Sequence, residues 1–258
     1  MVLNFCNGLT YSTLPDDVQI TFDTSRLDAV FLEKGSSEEA KYELFVRLNT
    51  YGQRLERQQV RDCYIIASEN GTGYFKNVIE KLSKLNEFKK SLTLSEKKIK
   101  ASFANELVIR FLTMANPQYQ DSLSRTSSVL IHDWLDRKIL EKVKGDSDDI
   151  KNIDINVFTK TFEILSQLEG DALCRFDVIK DKFIGNTTLK AFEFVAIGLG
   201  YNVYKAEEEG REYNLTKEEL TNKIKAIWES AVELEDYKGY DRTYKQIKKG
   251  CDTFRIDT

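Results

Sequence analysis

The chain has 258 residues, with 38 Lys and Arg against 42 Asp and Glu, a formal charge of −4 and one histidine. Mixed charge of this kind gives no electrostatic footprint for nucleic acid, which shows as a clustered basic surface, although local basic patches remain compatible with it. Cys6, Cys63, Cys174 and Cys251 have neither the paired spacing of a zinc site nor the density of a secreted disulfide scaffold, which points to reduced, mostly buried thiols in a cytoplasmic protein.

Two prolines, Pro15 and Pro117, interrupt a chain rich in Lys, Glu and Leu. Proline breaks helix interiors and those residues lose little entropy in them, so the composition favours helices. Met1 to Cys6 lacks the basic and apolar regions of a signal peptide, and no apolar run approaches membrane-spanning length.

In chain order, Gly8 to Gln19 reads as a turn and a short helix, since Pro15, Asp16 and Asp17 suit a first helical turn. Leu27 to Leu32 is the best strand candidate and nearly the only one, so its pairing partner is expected from another segment, another chain, or a part of the protein absent from this sequence. Glu38 to Leu48 reads as a helix, a polar loop turned at Gly52 follows, and Glu56 to Ser68 reads as the next helix. Apolar spacing predicts a helix between Phe75 and Phe88, and another from a Ser95 cap through Ile99, Phe103, Leu107, Phe111 and Met114, stopped at Asn116-Pro117. Further helices are expected at about 123–143, 157–168, 187–199, 217–234 and 243–254. Thr216 and Glu219 form a capping-box pattern at the start of the fourth of these. The acidic stretch Gly145 to Asp149 is either an internal boundary or a favourable N-terminus for the helix after it, and it lacks the ligand spacing of a calcium loop.

Chemistry-bearing patterns are few. The single His132 lies beside core positions of a helix, which suits a packed or surface imidazole better than a catalytic base, and no histidine-metal cluster is visible. Neither Gly-x-Ser-x-Gly nor a phosphate loop ending in Gly-Lys-Ser/Thr occurs. The exception is Phe45 to Arg61, where a loop before a helix N-terminus is flanked by Arg47, Arg57 and Arg61. Such a corner suits a phosphate or other anion, with Arg57 and Arg61 four apart on one helix face, Asn49 and Thr50 available locally and Gly52 permitting positive φ. The plainer reading is a helix-loop-helix corner with solvated arginines.

Phe45, Arg47-Leu48-Asn49-Thr50, Gly52, Leu55, Gln58 and Val60-Arg61 resemble the signature of DUF family 262, the GmrSD restriction endonuclease N-terminal domain of ParB/sulfiredoxin-like fold. Asn105-Glu106-Leu107-Val108-Ile109-Arg110-Phe111 resembles that family's later helix. The likeness covers most of residues 1–200 and is strongest at 45–63 and 105–111. Gln59 departs from it, standing where the family usually has a glutamate. The family's asp-gly-gln-gln-arg motif, implicated in nucleotide binding and hydrolysis, is absent from this sequence, as is its histidine-asparagine-histidine nuclease module.

The resemblance therefore implies a mainly α fold with one or a few short strands near the N-terminus, the helical C-terminal part of a ParB-like α/β domain. It divides the chain into a ParB-like segment at 1–70 and a helical domain at 71–258. The implied function is one wall of a nucleotide-phosphate site in a prokaryotic restriction or phage-defence protein, inactive alone, lined by Arg47, Asn49, Thr50, Gly52 and Arg61. No cofactor is fixed by the residues themselves; the resemblance implies a nucleoside triphosphate with Mg. The implied partner is a separately encoded N-terminal half or nuclease subunit, with DNA engaged only through that complex and no membrane. The alternatives are a subunit of a split nucleotide-dependent endonuclease, and a non-enzymatic interaction or regulatory protein.

Overall fold

In the computed structural model the chain is mainly α-helical, as composition and periodicity predict. The structure describes residues 8–26, 35–36, 40–41, 44, 55–100, 102–124, 131–145, 147–230 and 239–256. The expected strand at Leu27–Leu32 and the polar loop carrying Arg47, Asn49, Thr50 and Gly52 lie outside those residues. The chain forms two compact units, Met1–Phe45 and Val46–Thr258.

In the first unit, a 3-10 turn at Tyr11–Thr13 precedes helix α1, Asp16–Asp23. Pro15 stands immediately before α1 and Asp16 and Asp17 fill its first turn, where carboxylates favour the exposed amides. The Tyr11 hydroxyl donates to Asp23 Oδ2 at 2.6 Å and ties the two pieces together. Ala40, Lys41 and Leu44 are helical, within the helix expected at 38–48, whose other residues lie outside those described.

The second unit begins, among the described residues, with α2, Arg57–Ala67. Asn70 then takes a left-handed conformation, φ 62°, and α3 runs from Gly71–Tyr74 through a π-helical stretch, Phe75–Glu80, into Lys81–Ser83. The helix expected at 75–88 thus starts earlier and breaks at Leu85, whose extended backbone caps α4, Asn86–Lys90. A second expectation is corrected at Ser102, where φ of 56° divides α5, Glu96–Lys100, from α6, Phe103–Met114. Apolar periodicity is retained across both breaks, so the pattern alone does not reveal them. Pro117 does stop α6, and it also opens α7, Pro117–Ser124, since proline's missing N–H costs nothing at a first helical position.

Next come α8, Ile131–Gly145, and α9, Asp148–Leu165. Ser147 Oγ accepts the Ile150 N–H at 3.3 Å, so the acidic stretch starts α9. An unanticipated hairpin follows: β1, Arg175–Asp177, pairs antiparallel with β2, Lys182–Ile184, placing Phe176 opposite Phe183 with rings 5.1 Å apart. Helix α10 runs from Leu189–Ala191 through a second π-helical stretch, Phe192–Ile197, to Gly198–Glu208. Helix α11, Lys217–Glu229, has the expected capping box, Thr216 N–H donating to Glu219 Oε2 at 2.8 Å and Glu219 N–H to Thr216 Oγ1 at 3.3 Å. Helix α12 is Gly239–Phe254.

The core is built around α6, whose Leu107, Val108, Phe111 and Leu112 are fully buried. Phe88, Phe111, Phe158 and Phe162 interlock, with centroids 4.4 to 5.8 Å apart across α4, α6 and α9. Each such ring contributes roughly 1.5–3 kcal/mol by leaving water. Helices α10 and α12 cross at Gly198 and Gly250, so closely that a Cβ on Gly198 would lie 2.4 Å from the Gly250 backbone. A buried ion pair, Lys142 Nζ to Asp154 Oδ2 at 2.7 Å, joins α8 to α9, and the Tyr204 hydroxyl donates to the same carboxylate.

Candidate functional site

The start of α2 shows how the sequence builds a polar corner. Glu56 precedes the helix, and its N–H donates to Gln59 Oε1 at 3.0 Å. The glutamine at this position thus satisfies a helix-start amide, a task that needs an acceptor and no charge. One helical turn brings Arg57, Gln58, Arg61 and Asp62 towards the neighbouring helices α6 and α8.

Arg57 and Arg61 share a helix face, as their spacing predicts, and both point at α8. Arg57 Nη2 donates to Asp133 and, at 3.3 Å, to Asp136 Oδ2. Arg61 is 1% exposed; its Nε donates to Asp136 and its Nη1 to Gln58 Oε1. The solvated arginines of the plainer reading are therefore corrected at Arg61, which is held between helices, while Arg57 pairs with α8 and stays exposed to solvent. Two edges of the Arg61 guanidinium are occupied, whereas Nη2 is buried and has no hydrogen-bond partner among the described residues.

Asp62 closes the other side of the corner. Its two oxygens accept from Gln58 Nε2 at 2.6 Å and from Asn105 Nδ2 at 2.8 Å. Burial pushes its carboxyl up to about 6, against the lowering effect of the two amides and of Arg61. The stretches 58–63 and 105–111, quoted separately from the sequence, thus meet through the Asp62–Asn105 hydrogen bond.

Helix α6 carries the network onward. Arg110 pairs with Glu106 Oε1 at 2.9 Å and with Glu193 Oε1 at 3.1 Å, the latter on the π-helical stretch of α10. Gln246, with its amide nitrogen turned towards α10, donates to Glu193 Oε2 at 2.7 Å. Burial nevertheless raises the Glu193 carboxyl to about 7. His132, half-buried on α8, is held below its usual range by burial first and by Arg110 second, and its Nδ1 is buried without a partner among the described residues. Of the packed or surface imidazole that the sequence suggests, the structure shows a partly packed one.

Of the five residues expected to line a phosphate wall, the structure places Arg61; Arg47, Asn49, Thr50 and Gly52 lie outside the described residues. Sequence reasoning missed Asp133 and Asp136, which stand 76 and 75 residues from their arginines. The available signal was their i, i+3 spacing on α8, matching the i, i+4 spacing of Arg57 and Arg61 on α2. Among the described residues no group of three His, Cys, Asp or Glu side chains is placed to hold a metal ion, and no helix is long and apolar enough to cross a membrane. Comparison of the chain with protein-family models, curated proteins and solved structures gives no match.

Proposed function

We propose that the α2 corner forms one wall of a nucleotide-phosphate site, in a domain resembling DUF family 262 and inactive alone. One observation carries the reading: Arg61 is buried, oriented by Gln58 and Asp136, and its Nη2 has no partner among the described residues. A buried donor without a partner costs about 1–3 kcal/mol, and more when charged, and an anionic oxygen at Nη2 would recover that cost. A fixed guanidinium also loses little entropy on binding.

The neutralisation of Arg57 and Arg61 by Asp133 and Asp136 narrows the proposal. These arginines bring little net charge to a ligand, so Arg61 serves as an oriented donor and Arg47 as the cation, with Asn49, Thr50 and Gly52 shaping the loop. A nucleoside triphosphate with Mg fits such a site better than a bare polyanion, because the metal offsets phosphate charge that the corner does not. The asp-gly-gln-gln-arg segment would come from a separately encoded partner in a restriction or defence complex, the setting in which DNA would be engaged.

Calorimetric titration of the full chain, alone and co-purified with the product of the preceding coding sequence, with a Mg-nucleoside triphosphate tests the reading. Binding is expected, and Arg47→Gln with Arg61→Gln is expected to abolish it. The single variant Arg47→Gln is expected to weaken it at least tenfold. Binding unchanged in the double variant, shown by circular dichroism to be folded at the titration temperature, would overturn the proposal.

A further inference from the structure

A second polar region lies away from the α2 corner and shares no residue with it. Three hollows run along α10 and α12. The middle one, about 220 Å³, is lined by Tyr201 and Tyr244 with Gln120, Asn202, Lys248 and Arg255. On one side it shares Tyr201, Asn202 and Arg255 with a hollow of about 520 Å³ that adds Lys205 and Arg211. On the other it shares Lys248 and Asp252 with a hollow of about 510 Å³ that adds Lys245 and Lys249. The order along the surface is therefore cationic, aromatic, cationic.

The charge of this track opposes that of the whole chain. Lys205, Arg211, Lys245, Lys248, Lys249 and Arg255 line the three hollows against only Glu209 and Asp252, in a chain of net charge −4. Lys205 and Arg211 are engaged by Glu208 and Glu209. Lys248 and Arg255, which flank the tyrosines, have exposed side chains that enter no ion pair among the described residues. On α12, Lys245, Lys248, Lys249 and Asp252 recur at i, i+3, i+4 and i+7, so they form one stripe about 10 Å long.

We propose that this track binds single-stranded nucleic acid. The sugar-phosphate backbone follows the cations of the two outer hollows, and a base enters the middle hollow against Tyr244 and Tyr201. Aromatic stacking and a positive track are the two elements of sequence-tolerant single-strand binding. A duplex keeps its bases stacked inside and offers the middle hollow nothing. An acidic peptide could pair with the cations but would leave the tyrosines without a flat partner. The amide nitrogens of Asn202 and Gln120 donate to the backbone carbonyls of Gly198, Cys251 and Met114, so contact with a base rests on the tyrosine faces and is indifferent to base identity.

Fluorescence anisotropy of labelled oligothymidylate with the full chain tests the proposal. Saturable binding is expected at low salt, with log K falling against log salt by about 0.7 for each phosphate contacted. Lys248→Glu with Arg255→Glu, which removes two phosphate contacts, is expected to reduce that slope by about 1.4. Tyr244→Leu is expected to weaken binding roughly tenfold while Tyr244→Phe retains it, which separates stacking from a hydroxyl contact and from a packing defect. Absence of binding at low salt, equal affinity for the matching duplex, equal affinity for polyglutamate, or no response to the charge-reversing pair would each overturn it. Arg61 is not altered in these variants, so failure here leaves the phosphate-wall proposal standing, and the converse also holds.

Discussion

The α2 corner and the α10–α12 track, which share no residue, use cationic side chains in opposite ways. In the corner, Arg61 is enclosed and two of its edges are held by Gln58 and Asp136, so its charge mainly maintains the junction of α2 with α8. Along the track, Lys248 and Arg255 stand in water beside tyrosines. A buried guanidinium offers a ligand direction, through whichever N–H is left over, whereas an exposed cation offers charge without direction. Arginine density in a sequence therefore says little about anion binding until burial and partners are known.

The comparison is tested hardest in the corner. Asp136→Ala would leave Arg61 buried with one edge unpaired, and breaking a buried pair in this way costs about 3–5 kcal/mol. Urea denaturation of the full chain should show that loss, and a much smaller one for Asp133→Ala, whose side chain is half exposed. Comparable small losses from both would mean that the corner is solvated like the track.

A pH titration of stability is the next largest effect. Asp62 and Glu193 have folded-state values of about 6 and about 7, raised above the ordinary carboxylate values of 3.8 and 4.5. A raised acid contributes stability that is present below its unfolded value and is lost as pH rises through its folded value. Stability should thus fall between about pH 4 and pH 7, with roughly 3 kcal/mol from Glu193. Glu193→Gln should flatten the upper part of that decline in melting experiments, and an unchanged profile would show that Arg110 fully compensates the burial. The smallest effect belongs to the track, where Lys248→Glu should alter stability by no more than about 0.5 kcal/mol.

Much of the helical order is legible from sequence because local rules govern it. The Thr216–Glu219 cap, the stop at Asn116-Pro117 and the shared face of Arg57 and Arg61 each depend on residues within a turn or so of one another. The breaks at Leu85 and Ser102 were not legible, since the apolar spacing of Leu82, Leu85 and Phe88 suits either a continuous helix or a bent one. The β1–β2 hairpin escaped because strands of three residues are too short to display alternation, and the turn between them carries Val178 and Ile179 where polar residues are the usual sign. In the site, the arginines were legible and the aspartates that hold them were not, because that pairing depends on how α8 packs on α2.

The contact of Gly198 with Gly250 bears on the track as a gauge does on a rail. With no side chain between them the two helix backbones meet directly, so the width of the hollow between Tyr201 and Arg255 is set by main-chain thickness. A Cβ on Gly250 would fall 1.9 Å from the Phe194 carbonyl oxygen. One added carbon at that crossing would wedge α12 outward and widen the whole trough, altering what it grips without touching any residue that lines it.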